Sequence, residues 1–234
     1  MLQSHLETLL DCRKRRCPVA LVTWLDRGRQ EIAIPGERDI AGLEGELRRA
    51  IEEAFQRDRS ATVESPDGEV FINVFNPALR MVVIGAVHIA QALCPMAGRA
   101  GYDVTVIDPR GGFATEARMA GVELIAEWPG EALERIGIDR RTAIVALTHD
   151  PKIDDPALVG ALASEAFYIG ALGSRRTHAK RRERLLAGGI DAATFERIRA
   201  PIGLDIGAEG PIEIALSILA EVTAVLRGKD RVRP

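Results

Sequence analysis

The segment over residues 170–177 combines small and basic residues and reads Gly170-Ala171-Leu172-Gly173-Ser174-Arg175-Arg176-Thr177. Its glycines leave the backbone open, Ser174 can cap a helix, and Arg175 and Arg176 would begin that helix. Free amide N–H groups, the positive end of a helix dipole and guanidinium groups are what a phosphate or another anion needs. Two arginines at a helix N-terminus oppose its dipole, so a bound anion would compensate them. The alternative is a solvated basic helix face, since residues 175–184 carry six basic side chains and one acidic one.

A histidine and three aspartates stand close together in the segment Thr148-His149-Asp150-Pro151-Lys152-Ile153-Asp154-Asp155-Pro156. His149 could act as an acid, a base or a ligand, and Asp150 could orient its ring. Alternatively, Asp154 and Asp155 only cap a helix that begins near Pro156. The segment lacks the paired histidine or cysteine spacing of protein metal sites, so we predict no metal site here.

A third segment, Gly85-Ala86-Val87-His88-Ile89-Ala90, has the position of a dinucleotide-binding turn. Asp108 follows 23 residues after Gly85, a spacing that suits a carboxylate bonded to ribose hydroxyls. Val87, however, stands where a second glycine would let the backbone approach a pyrophosphate. The sequence therefore disfavours NAD(P) or another nucleotide as the ligand, although the turn itself fits a Rossmann fold.

Short apolar runs precede these segments and predict the strands that position them. They lie over residues 81–84, 104–107, 122–126, 143–147 and 167–169. Each is followed by a segment able to form a helix, and this alternation is typical of a doubly wound parallel sheet with its ligand beyond the carboxyl ends of the strands. We therefore predict an α/β, Rossmann-like domain over residues 79–234. Asp205, between Gly203 and Gly207, would face the same crevice, and an amphipathic helix would begin at Pro211, although the two glycines could be turn residues only.

The amino-terminal part, residues 1–78, is predicted to be a small α+β domain. Apolar residues recur at helical spacing there: Ile40, Leu43, Leu47, Ile51 and Phe55. Strand-like runs over residues 18–24, 30–34 and 69–75 surround this helix. Asn76-Pro77 favours a turn and predicts a linker between the two parts.

The composition excludes several classes of protein. Lys and Arg total 31 against 34 Asp and Glu, a formal net charge of -3, which argues against a nucleic-acid partner. No apolar run reaches the length of a membrane span, and the apolar stretch near the amino terminus precedes the basic cluster, the reverse of a secretory signal. Three cysteines make no disulfide framework. Cys12 and Cys17 flank four basic residues that would lower the pKa of an exposed thiol, although inert thiols are the alternative. We expect a cytoplasmic protein with no stable membrane insertion.

Five segments resemble, in the same order, the signature segments of XdhC/CoxI-type accessory proteins over about residues 81–227. They read GAVHIAQAL, VTVIDPR, ALTHDPKIDDPAL, YIGALGSRRTHAKR and APIGLDIGAEGPIEIALSILAEV. The resemblance implies a non-catalytic maturation factor that binds molybdenum cofactor (molybdopterin) and assists its sulfuration or insertion into a xanthine dehydrogenase or carbon monoxide dehydrogenase-type enzyme. It also implies a homodimer whose partners are the molybdoenzyme apoprotein and a cysteine desulfurase.

Matching positions give the candidate cofactor-binding residues, with no catalytic residue among them. They are Gly85, His88, Asp108, His149, Asp150, Gly173, Ser174, Arg175, Arg176 and Asp205. The chain departs from the family at Val87, where a glycine is usual, and in lacking a Gly-Gly-Cys-Val-Glu segment between Cys17 and Cys94. The alternatives are an NAD(P)-dependent oxidoreductase or a nucleotide-binding regulatory protein, and the latter leaves residues 170–184 unexplained.

Overall fold

Four antiparallel strands and two helices form the described part of the first of two units. The computed structural model describes residues 2–36, 45–111 and 121–229, and it divides the chain into the units Met1–Pro77 and Ala78–Pro234. The elements of the first unit are α1 (Gln3–Lys14), β1 (Val19–Trp24), β2 (Gln30–Ala33), α2 (Glu46–Arg57), β3 (Ala61–Ser65) and β4 (Gly68–Phe75). The strand order is β2-β1-β4-β3.

Helix α2 buries one face against this sheet. Leu47, Ile51 and Ala54 are buried and pack in one core with β1 and β4 residues such as Val22 and Ile72. Leu47 and Ile51 are predicted positions, whereas the predicted Phe55 is only partly buried against this core and its neighbour Ala54 is buried. The predicted helix positions Ile40 and Leu43 lie outside the described residues. Helix α1 and strand β3 were not predicted.

The second unit alternates strands and helices along the chain. Its elements are β5 (Leu79–Ile84), α3 (His88–Arg99), β6 (Tyr102–Ile107), β7 (Glu123–Ile125), α4 (Pro129–Ile136), β8 (Thr142–Ala146), α5 (Pro151–Leu162), β9 (Tyr168–Ala171), α6 (Arg175–Ala187), α7 (Ala192–Phe195), β10 (Ile198–Arg199) and α8 (Pro211–Leu226). All five predicted apolar runs fall on strands of this sheet. The two-residue strand β10 was not predicted. Helix α8 begins at Pro211, as predicted.

The six strands form one parallel sheet in the order β10-β9-β8-β5-β6-β7. Because the chain starts at β5 in the centre, moves out to β7 and then returns to β8, the strand order reverses between β5 and β8. This is the order of dinucleotide-binding Rossmann sheets, and their ligands bind at the reversal, beyond the carboxyl ends of the strands. The prediction of a Rossmann-like doubly wound sheet is confirmed.

Helices cover both faces of this sheet. Met81 and Val83 of β5 point into a core with α3 and α8, whereas Val82 and Ile84 point into a second core with α4 and α5. Successive residues of a strand face opposite sides, which explains why these runs are apolar throughout. Within residues 2–36, 45–111 and 121–229, no helix combines the length and apolar character needed to cross a bilayer.

Candidate functional site

The turn after β5 is held by a buried carboxylate. Asp108, at the end of β6, is fully buried, and its Oδ2 accepts a hydrogen bond from the Ala86 amide at 2.9 Å. The Arg110 guanidinium donates to both carboxylate oxygens, at 3.0 and 2.9 Å. Burial alone would raise the pKa of Asp108, but the hydrogen bonds from Arg110 and Ala86 outweigh it and lower the pKa below its ordinary value. Asp108 is thus an ionised clamp that joins the ends of β5 and β6.

Gly85 and Val87 shape the same turn. Gly85 has a φ of 108°, and a Cβ atom there would lie 2.5 Å from Cγ2 of Thr148. This close approach of two loops therefore requires glycine. Val87 is the N-cap of α3, at the helix end where a pyrophosphate would bind, and its side chain is partly buried against the core. His88 follows it on the surface.

The loop after β8 is fixed by Asp154. The Thr148 hydroxyl donates to Asp154 Oδ1 at 2.6 Å, and the Asp150 amide donates to the Thr148 hydroxyl at 3.1 Å. Asp150 is itself the N-cap of α5, since its Oδ1 accepts from the Lys152 amide at 2.9 Å. The interpretation that Asp154 and Asp155 cap a helix beginning near Pro156 is wrong, because α5 begins at Pro151 and places both aspartates inside it.

His149 lies exposed at the tip of this loop. Its φ of 62° is left-handed, a conformation that non-glycine residues adopt at a cost. Thr148 and Asp150, whose bonds to the start of α5 are given above, constrain the backbone on both sides. The loop therefore presents the imidazole in a fixed backbone setting. The described residues include no group of three or more His, Cys, Asp or Glu side chains able to hold a metal ion.

Helix α6 begins as the sequence predicted. Ser174 caps it, with its hydroxyl accepting from the Thr177 amide at 3.2 Å. Gly173, at a φ of 131°, precedes the cap, and a Cβ there would lie 3.0 Å from Cγ2 of Thr177. Arg175 and Arg176 are exposed, and their side chains make no ion pair with the described part of the chain. These two cations thus stand at a helix end that already carries a partial positive charge.

A pocket of about 330 Å³ brings the β8 and β9 loops together. Its lining residues are His149, Pro151, Asp154, Asp155, Arg176, Thr177, Lys180, Arg181 and Arg184. Of the predicted site residues, it therefore unites His149 with Arg176. Asp205 is exposed, and the pocket lining includes neither Asp205 nor His88.

Two buried residues of opposite charge, Asp154 and Arg181, line this pocket, and their side chains are 1% and 2% exposed. Arg181 Nη2 lies 3.7 Å from Asp154 Oδ2 and donates to the Leu172 carbonyl at 3.1 Å. Burial raises the pKa of Asp154, and the opposing effects of Thr148 and Arg181 do not cancel it. Sequence reasoning placed Arg181 within a basic run without separating it from its neighbours. The signal was its spacing, four residues after Thr177 and four before Leu185, another buried position.

A second buried carboxylate, Glu221 of α8, organises the loop that leads to Asp205. Its Oε2 accepts from the Tyr168 hydroxyl at 2.6 Å and from the Gly203 amide at 2.8 Å. A Cβ on Gly203 would lie 2.4 Å from Ser217 Oγ, so this glycine is required by packing as well as by its φ of 91°. Neither Glu221 nor Arg110 was singled out from the sequence.

Two of the three cysteines are buried. Burial, with a smaller effect of Cys17, raises the pKa of the Cys12 thiol to about 11, and burial raises that of Cys94 to about 12. The expectation that the basic cluster lowers the pKa of an exposed thiol does not apply to Cys12, because Cys12 is inside the core.

The strand order, the clamped β5 turn and the pocket lined by arginine and lysine side chains define a Rossmann-type domain with cationic groups at the carboxyl edge of its sheet. A family model described as the XdhC Rossmann domain matches residues 81–222. The chain belongs to this family, as its sequence segments predicted.

Individual relatives agree with this assignment. The chain is 34% identical over 151 residues to the molybdenum cofactor insertion chaperone PaoD of Escherichia coli (strain K12), covering 64% of this chain and 41% of that protein. It is 33% identical over 154 residues to a Bacillus subtilis (strain 168) protein that is named as a probable xanthine dehydrogenase subunit, covering 65% and 44%. The chain thus spans less than half the length of these curated relatives.

A solved structure shares the fold. The crystal structure of a xanthine dehydrogenase from Bacillus halodurans superposes with a TM-score of 0.66 at 24% identity. The match covers 100% of this chain and 67% of that one. At this identity the likeness shows a shared fold alone.

Proposed function

We propose that this chain is a maturation factor that binds the molybdenum cofactor and passes it to a molybdoenzyme apoprotein of the xanthine dehydrogenase or carbon monoxide dehydrogenase type. The observation that carries this proposal is the set of exposed cations and open backbone at the start of α6, on the ligand edge of a Rossmann sheet. The names of the PaoD and Bacillus subtilis relatives support the choice of cofactor and client.

The residues present fit an anionic, phosphate-bearing pterin. Gly173 and Ser174 form the turn before α6, and the exposed Arg175 and Arg176 supply charge without first leaving an ion pair with a described residue. His149 supplies a hydrogen-bonding group from the adjacent loop. The proposal gives Asp205 a place on the rim of the same crevice. These residues bind and orient the cofactor, and the proposal assigns none of them a catalytic step.

The test is cofactor binding by the double variant Arg175→Ala/Arg176→Ala. We expect its affinity for molybdenum cofactor to fall at least about tenfold, because two charge-assisted contacts are removed. The control is Arg27→Ala/Arg59→Ala, which removes two exposed arginines from the first unit and therefore has the same net charge as Arg175→Ala/Arg176→Ala. Unchanged affinity in a folded Arg175→Ala/Arg176→Ala variant would refute the assignment of this loop.

The second candidate is an NAD(P)-dependent oxidoreductase or a nucleotide-binding regulatory protein, which the strand order favours. The β5 turn opposes it, because Ala86 and Arg110 already bind both carboxylate oxygens of Asp108. In addition, the N-cap of α3 is Val87 and not a glycine. Titration with NAD(P) separates the two functions, because micromolar binding would promote the nucleotide alternative.

The remaining parts of the proposal rest on the family resemblance. They are assistance with sulfuration, a cysteine desulfurase as a second partner, a homodimeric state and a cytoplasmic location. Copurification with the client apoprotein and with a desulfurase tests the two partners.

A further inference from the structure

The pocket between α5 and α6 is lined by one face of α6. Arg176, Lys180 and Arg184 follow one another at intervals of four residues, and Thr177 and Arg181 form the neighbouring row. The start of α5, from Pro151 to Asp155, forms the opposite wall. The pocket has a volume of about 330 Å³, at the lower end of the roughly 300–1,000 Å³ that small-molecule sites occupy.

Arg181 gives this pocket a buried donor that lacks acceptors. A guanidinium carries five N–H groups, and here Nη2 donates to the Leu172 carbonyl and faces Asp154. The Nε and Nη1 atoms have no hydrogen-bond partner in the part of the chain that the structure describes. Leaving buried donors of a charged group without acceptors is costly, so an acceptor in the pocket would recover free energy.

The charges of the other lining residues favour an anion with more than one negative charge. Asp155 is taken by Arg184, whose Nε and Nη2 lie 2.6 and 3.0 Å from its oxygens. Arg176 and Lys180 are exposed and form no ion pair with a described residue, although they are like charges four positions apart on one helix. Such pairs repel each other, and an anion between them reverses the sign of that interaction.

We propose that this pocket is a subsite for a phosphate monoester, with Arg181 as its buried donor and Arg176 and Lys180 closing over the phosphate oxygens. A phosphate monoester has several oxygens and close to two negative charges at neutral pH, so it can bind more than one of the cationic side chains that line the pocket. The inference deepens the proposed function and rests on it for the identity of the ligand, because it places the phosphate of the cofactor in this pocket. The binding of phosphate itself does not depend on that identity.

Inorganic phosphate, titrated into the full chain at constant ionic strength and followed by calorimetry, is the probe. We expect saturable binding that weakens about fivefold or more in Lys180→Ala and in Arg176→Ala, each of which removes an exposed cation. In Arg181→Lys, which keeps the charge but loses the planar fork, we expect a loss of about tenfold. Arg182→Ala is the matched control, because Arg182 lies on the same helix, outside the pocket lining.

Two results would overturn the subsite: the absence of saturable phosphate binding, or losses in Arg182→Ala equal to those in Lys180→Ala. Failure of the proposed function looks different. If phosphate binds and depends on Lys180 while molybdenum cofactor does not bind at all, the subsite stands and the cofactor assignment falls. If molybdenum cofactor binds equally well to wild type and Lys180→Ala, and phosphate does not bind, the subsite falls and the proposed function stands.

Discussion

Replacing Arg181 with methionine would remove the cation that faces Asp154 while keeping much of the side-chain volume. Asp154 is 1% exposed, and its Oδ2 has no hydrogen-bond donor among the described residues. In the variant, this carboxylate must remain charged in the core or take up a proton. Removing one partner of a buried ion pair typically lowers the free energy of unfolding by about 3–5 kcal/mol, and we expect a loss of about this size in Arg181→Met.

Proton uptake sets a limit on this cost. The carboxyl of an unfolded chain has a pKa of 3.8, so protonating it at pH 7 costs about 4 kcal/mol at 1.36 kcal/mol per pH unit. At pH 5 the same step costs about 1.6 kcal/mol. A further ~1 kcal/mol, independent of pH, comes from losing the hydrogen bond to the Leu172 carbonyl. Arg181→Met should therefore lose about 3–5 kcal/mol at pH 7 and about 2–3 kcal/mol at pH 5.

Asp154→Asn removes the other charge of the buried pair. Its amide oxygen still accepts from the Thr148 hydroxyl, and the variant lacks the charge that burial disfavours. Since the pKa of Asp154 is raised in the folded protein, its contribution to stability is present in acid and is lost as the pH rises through the folded pKa. Removing the carboxylate, however, leaves the guanidinium of Arg181, 2% exposed, as a buried cation without its partner, so the asparagine variant should also lose about 3 kcal/mol at pH 7. The double variant Arg181→Met/Asp154→Asn removes both charges, so it should lose less free energy than the two single variants together and should lack the pH dependence of Arg181→Met.

Urea unfolding of the full chain at the two pH values, read by hydrogen exchange at the amides of α5 and α6, measures these differences. Exchange is read at these helices because the chain has two compact units, and two such units need not unfold in a single transition. The reasoning is refuted if Arg181→Met loses the same free energy at pH 5 and pH 7. It is also refuted if the losses of the two single variants simply add in the double variant.

Three further substitutions can be measured by the same unfolding assay. Gly85→Ala should lower the free energy of unfolding by about 2–4 kcal/mol, because the new Cβ would lie 2.5 Å from the Thr148 side chain. The control is Gly98→Ala on α3, where the new Cβ has no neighbour within 4 Å among the described residues, so the substitution should cost nothing. Equal effects of the two substitutions would contradict this steric account. Tyr168→Phe should cost about 1–3 kcal/mol by removing a donor from buried Glu221, and a neutral result would show that bond to be dispensable. Asp108→Asn should be destabilising at pH 7, and its difference from wild type should shrink as acid titrates the lowered pKa of Asp108; a constant difference would argue against an ionised clamp.

The sequence predicts the sheet well because its strands are buried on both faces. Runs such as those of β5 and β8 are apolar at nearly every position, and a solvated strand would alternate. The sequence does not predict strand β10, because two residues are too few to show a pattern. It does not predict helix α1 for a different reason: Leu6 and Leu10 are exposed, so the apolar residues of α1 do not mark a single buried face.

For the candidate site, the sequence predicts the capping residues better than the buried side chains. The capping role of Ser174 follows from local chemistry, and the structure agrees. Arg181 looks in sequence like five other basic residues nearby, and only the packing of α6 against α5 buries it. Aspartates that precede a proline make Asp154 one candidate for a cap, but the hydrogen bonds assign the cap of α5 to Asp150. Local patterns specify caps and turns, whereas the partner of a buried charge depends on tertiary packing.

The buried cysteines have a consequence for sulfur chemistry. Sulfur is carried between proteins as a persulfide, which forms on an accessible cysteine thiolate. With a pKa of about 11, the Cys12 thiol is ionised in only about one of ten thousand molecules at neutral pH. Cys12 and Cys94 are therefore unsuited to act as sulfur carriers. Any sulfur added to a cofactor held on this chain would have to come directly from a donor protein or by way of Cys17. A persulfide trapped on Cys17 would distinguish a relay through this chain from delivery straight to the bound cofactor.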